Sequence, residues 1–176
     1  MSKNILIAGG TSGIGAEALR TLRADGHQIY CACRSPETLP EDPQVHRLAF
    51  DATGSTHDLA LPERLDGFVY FPGTITLKPF GRLSNDDFLQ DYQVNLLGAV
   101  TLLQTALPSL LKGEEAAAVF FSTVAVQTGL PFHASISAAK GAVEGLTRSL
   151  AAELAPRVRV NCIAPSLTDT SLAAPL

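Results

Sequence analysis

Six short apolar runs, each closed by glycine, proline or polar residues, are separated in several places by segments with helical spacing. This alternation constrains the fold more than any other feature of the chain. The runs predict strands over 4–8 (NILIA), 27–33 (HQIYCAC), 45–50 (VHRLAF), 66–71 (DGFVYF), 116–121 (AAAVFF) and 158–164 (VRVNCIA). They are apolar nearly throughout, as expected of strands covered on both faces and therefore of a parallel sheet. Residues 13–25 place Ile14, Ala18, Leu19 and Leu22 on one helical face and stop at Gly26. Ser84 is a helix cap, with Asp86 and Asp87 suited to the first turn of a long helix reaching about residue 107. Residues 137–154 predict a second long helix, whereas 54–65, with Pro62, holds at most a small one. The fold class that follows is α/β, a doubly wound parallel sheet in three layers.

The composition supports a compact core. Of 176 residues, 46% are hydrophobic and 17% charged. Thirteen basic against seventeen acidic residues leave a net charge of −4, with no basic cluster, which argues against nucleic acid and anionic membrane as partners. The short apolar run at the N-terminus lacks the length and cleavage site of a secretory leader, and no run approaches the ~20 residues that span a bilayer. A cytoplasmic location is the expectation. Cys31, Cys33 and Cys162 form neither a disulfide framework nor a set with metal-ligand spacing, so buried free thiols and no metal are expected.

The segment AGGTSGIG (8–15) joins the first strand to the first helix. Gly9 permits a sharp turn, Gly13 lets the backbone approach a pyrophosphate, and Gly15 lets the helix pack close to the sheet. Thr11, Ser12 and Ile14 complete the turn, and the helix N-terminus offers free N–H groups and positive dipole to phosphates. At the end of the second strand, Cys33 stands where an acid would bind the ribose 2′-hydroxyl of NAD, and Arg34 follows. A guanidinium suits a 2′-phosphate, so NADP is favoured, with NAD the alternative and a plain surface role for Arg34 left open. Asp51, ending the third strand, is placed either to bind an adenine amino group or simply to cap its loop. The whole chain, 1–176, thus reads as one dinucleotide-binding Rossmann domain. Its tail after Pro165, SLTDTSLAAPL, runs on without another strand, so the last strand is expected to be missing and the domain cut short.

GGTSGIG, YFPG (70–73), QVNLLG (93–98), FSTVA (121–125), SISAAKGAV (135–143) and VNCIAPSLTDT (160–170) follow one another in the order and spacing of the short-chain dehydrogenase/reductases, a family the chain resembles over its whole length. The resemblance implies an NAD(P)-dependent oxidoreductase acting on small carbonyl or alcohol compounds, assembled as a homodimer or homotetramer. It implies that Asn95 kinks its helix and holds a relay water, and that Lys140 binds the nicotinamide ribose. Thr123 takes the place of the substrate-polarising hydroxyl, with Ser122 one register away as the alternative. Thr170, with Pro165 nearby, faces the nicotinamide. Gly73 alone survives of the family's NNAG, with Phe71 and Pro72 before it.

The resemblance puts Ile136 where the family carries its catalytic Tyr, one helical turn before Lys140. An aliphatic side chain has no proton to give. General acid catalysis is typically worth 10²–10⁴-fold, so about 3–5 kcal/mol of barrier is at stake. Ser135 and Ser137 are rotated away by ~100° each. His133, in a loop before the helix, and Tyr92 and Tyr70 offer no obvious substitute. Two functions therefore stand side by side: an oxidoreductase with impaired or atypical proton donation, and an inactive dinucleotide-binding sensor or oligomer scaffold.

Overall fold

The computed structural model describes residues 1–54 and 59–173. Six strands, β1 (Asn4–Ala8), β2 (Gln28–Cys33), β3 (Val45–Ala49), β4 (Gly67–Tyr70), β5 (Ala116–Phe121) and β6 (Val158–Ile163), form one parallel sheet in the order β3-β2-β1-β4-β5-β6. The helices are α1 (Gly13–Ala24), α2 (Asn85–Tyr92), α3 (Gly98–Leu110), the single turn α4 (Ala125–Thr128) and α5 (Ala134–Leu154). The doubly wound α/β class is as the apolar runs require, and the strands fall within a residue of their expected ends.

Alternation along β1 sets the two layers of core. Ile5 and Ile7 pack with Ile29, Cys31 and Cys33 under Leu19 of α1. Leu6 and Ala8 face the other way, into a larger cluster with Phe68, Phe120, Leu102, Leu103 and Val143 under α3 and α5. Phe68 and Phe120 meet edge to face at 5.8 Å between ring centres, both fully buried. Cys31 and Cys33 share one face, as expected of residues two apart in a strand, and burial pushes the Cys31 thiol up to about 12. Cys162, expected to be buried, is only partly so.

Two helical expectations need correction. The helix beginning after Ser84 is not continuous to 107. Residues Gln93–Leu97 form a π turn between α2 and α3, and α3 runs on to Leu110. The cause is local, because Asn95 Nδ2 donates to the Asp91 carbonyl oxygen at 2.8 Å, occupying the i−4 acceptor that its own backbone N–H would otherwise take. The second long helix starts at Ala134 rather than 137. The small helix considered for 54–65 falls partly on 55–58, outside the described residues, and 59–65 are not helical. The Ser84 cap itself is a full capping box: Ser84 Oγ accepts from Asp87 N, and Asp87 Oδ2 accepts from Ser84 N at 2.9 Å.

Candidate active site

The strand order reverses between β1 and β4, and a crevice opens there beyond the carboxyl ends of the strands, where open α/β sheets bind their ligands. The cleft holds about 790 Å³ and runs from the β1–α1 turn to Lys140 on α5. The cofactor-binding and catalytic candidates from the sequence line it: Gly9, Thr11, Ser12, Gly13, Ile14 and Gly15 of the turn; Arg34 and Asp51 at the ends of β2 and β3; Gly73, Asn95, Thr123, Ile136 and Lys140 in the middle; and Pro165 and Thr170 after β6.

At the turn, α1 begins with no side-chain cap, so its first N–H groups point outward with the helix dipole behind them. A Cβ on Gly15 would lie 2.1 Å from the Gly9 carbonyl oxygen, so only glycine lets the helix start this close to the strand. Arg34 is exposed at the rim and has no ion-pair partner among the described residues. Asp51 Oδ1 accepts from Thr53 N and Thr53 Oγ1, both at 2.8 Å, so it does cap its loop while also lining the cleft. Phe71 stacks obliquely on Phe121, ring centres 4.8 Å apart, and Pro72 lies against Gly9. Phe71, Pro72 and Gly73 thus line the cleft beside the glycine turn. An uncapped helix end, a turn that excludes even a Cβ and a long cleft together fit a dinucleotide.

The middle of the cleft is more polar. Lys140 Nζ donates to the Phe121 carbonyl oxygen at 2.9 Å. Burial lowers its pKa to about 8 from the usual 10.5, opposed by Cys162 and by the Asp91 carboxylate. A Cβ on Gly73 would stand 2.9 Å from Asn95 Oδ1 and 3.6 Å from Lys140 Nζ, so the missing side chain leaves these two polar groups a shared space. Ile136, one turn before Lys140, is 4% exposed and lines the cleft. Thr123 also lines the cleft, its Oγ1 accepting from Ala125 N at 3.3 Å. Ser122 is buried with its hydroxyl donated to Glu144 Oε1 at 2.7 Å, which leaves Thr123 the freer of the two hydroxyls. His133 lies on the same wall, with Nδ1 2.7 Å from the Pro131 carbonyl oxygen.

The other aromatic hydroxyls are elsewhere. Tyr70 is buried and donates to the Val94 carbonyl oxygen at 2.7 Å, and its pKa is raised by burial. Tyr92 is 39% exposed and not part of the cleft. The sequence reading missed Thr74, Thr76 and Asp91, which form a hydrogen-bonded group behind Asn95. Two hydroxyls two residues apart after the glycine of YFPG were the one available signal.

A family model described as short chain dehydrogenase matches residues 3–176. The L-2,3-butanediol dehydrogenase of Corynebacterium glutamicum is 30% identical, the alignment covering 98% of this chain and 74% of that protein. The cyclopentanol dehydrogenase of Comamonas testosteroni is 27% identical, covering 97% and 74%. Among solved structures, a short chain dehydrogenase from Escherichia coli CFT073 complexed with NADPH superposes with a TM-score of 0.90 at 28% identity, over 98% of this chain and 80% of that one.

Proposed function

Because the chain belongs to the short-chain dehydrogenase family, we propose that it binds a nicotinamide dinucleotide, NADP in preference to NAD, and acts as an oxidoreductase on small carbonyl or alcohol compounds with impaired or rerouted proton donation. The Gly9–Gly15 turn and the start of α1 would take the pyrophosphate, Arg34 the 2′-phosphate, and Asp51 the adenine side. Gly73, Asn95 and Lys140 would hold the nicotinamide ribose, with Pro165 and Thr170 beside the ring. When bound, the cofactor supplies or accepts the hydride. Thr123 is left to hydrogen-bond the substrate oxygen, while Lys140 holds its charge nearby.

One observation carries the altered chemistry: the residue facing the cleft one turn before Lys140 is the buried hydrocarbon of Ile136. His133, on the wall of the same cleft, would be the substitute donor. Its Nδ1 is engaged by the Pro131 carbonyl, so Nε2 is the nitrogen left to exchange a proton with the cleft. The non-catalytic alternative, a dinucleotide-binding sensor or scaffold, draws on the same Ile136 and on the exposed Leu89, Tyr92 and Leu97 along α2 and the π turn, apolar surface that suits contact with a second copy.

Fluorescence titration with NADPH and NADH tests the shared premise. Binding of NADPH tighter than NADH is expected, and binding of neither refutes both readings. A panel of carbonyl compounds then separates them: slow turnover that falls further in His133→Ala marks the enzyme, and no turnover of any compound marks the sensor.

A further inference from the structure

Asp91 lies on α2, one turn before Asn95, and is fully buried. A buried carboxylate is costly unless its surroundings compensate it. Oδ1 accepts from Thr74 Oγ1 at 2.6 Å and from Thr76 Oγ1 at 3.1 Å, and Oδ2 has no hydrogen-bond partner among the described residues. Thr74 has a single proton, and it is committed to Asp91. The Thr74 oxygen must therefore accept, and it does so from Asn95 Nδ2 at 2.9 Å. The second Nδ2 proton goes to the Asp91 carbonyl oxygen. Both amide protons are then used, so Asn95 Oδ1, buried and without a partner, is the atom turned toward Gly73 and Lys140.

We propose that Asp91 is a positioning residue of this site: through Thr74 it fixes the Asn95 amide with its carbonyl oxygen turned to the space beside Lys140 where the cofactor ribose would lie. The place of the ribose rests on the cofactor reading above.

Thr74→Val, close to isosteric and leaving the carboxylate in place, tests this role. NADPH affinity should drop roughly tenfold, with recovery in Thr74→Ser, which keeps the hydroxyl. Affinity equal to the parent's in Thr74→Val overturns that role. If the parent binds no NADPH at all, the cofactor reading fails, and the positioning role is then decided by the Asn95 side-chain amide resonances, which should shift in Thr74→Val and return in Thr74→Ser; unmoved resonances overturn it.

Discussion

Replacing Ile136 by Tyr should convert a slow or silent protein into a competent reductase, and the size of the gain follows from what surrounds the position. Ile136 is buried against the cleft on α5, and Lys140 stands one turn further along the same face. Burial has brought the Lys140 pKa to about 8, so at pH 7 roughly nine tenths of it is still charged. An ammonium about 4 Å from a phenol interacts with the phenolate by ~4 kcal/mol at an effective dielectric of ~20. That corresponds to ~3 pH units, enough to bring a phenol from about 10 to about 7, where general acid–base catalysis is most effective. The expected gain in kcat/KM for NADPH-dependent carbonyl reduction is therefore 10²–10⁴-fold. The assay is loss of the reduced-nicotinamide absorbance. Ile136→Phe is the control, because it shares the ring and any overpacking cost of roughly 1–3 kcal/mol but lacks the hydroxyl. If Tyr and Phe variants that bind NADPH equally turn over at the parent's rate, the missing phenol is not what limits this protein.

Arg34→Leu should weaken NADPH by about 10–100-fold and leave NADH nearly unchanged in fluorescence titrations, since only a 2′-phosphate gains from the guanidinium. Gly15→Ala forces a methyl group to within 2.1 Å of the Gly9 carbonyl, so denaturant midpoints should fall and NADPH affinity with them. Phe120→Ala empties a fully buried position between the sheet and α3, at a cost of about 3–5 kcal/mol read from urea unfolding. Asp87 is held at about 2, chiefly by its hydrogen bond from Lys78 Nζ and also by the Ser84 cap. A carboxyl depressed on folding stabilises above its unfolded value, near 3.8, and loses that contribution as pH falls toward 2. The stability difference between the parent and Lys78→Met should accordingly be full at pH 5 and vanish below about pH 2.

The parts of this structure that were legible in the sequence are those set by local geometry. A run of apolar residues ending at GGTSGIG allows few outcomes, because the turn's glycines answer to steric limits between near neighbours, such as the contact of position 15 with the Gly9 carbonyl. Ile136 and Lys140 were legible as a pair because a four-residue spacing on any helix puts two side chains on one face. The π turn was not. Residues 85–110 have helical spacing throughout, and what inserts the extra residue is one side chain, Asn95, competing for the Asp91 carbonyl, which periodicity does not register. The choice between Ser122 and Thr123 was also beyond the sequence. Both lie past the last residue of β5, where strand alternation no longer dictates direction, and Glu144 on another element decides which hydroxyl is occupied.

Asp91 shows the same limit from the side of charge. Set between Gln90 and Tyr92, it has the pattern of a solvent-facing helix position, and only the approach of Thr74 and Thr76 from the chain after β4 turns that position inward. Its burial matters because it stands among the groups that set the charge on Lys140. Burial of Lys140 itself disfavours the ammonium, and Cys162 and, to a smaller extent, the Asp91 carboxylate favour it. The balance leaves Lys140 charged below about pH 8 and neutral above, so whatever Lys140 holds in the cleft by charge is held at neutral pH and released as the solution turns alkaline. On the function proposed above, an ammonium retained under these conditions beside a hydrocarbon would hold the cofactor ribose. The proton-donating hydroxyl such an ammonium would act through is what Ile136→Tyr introduces.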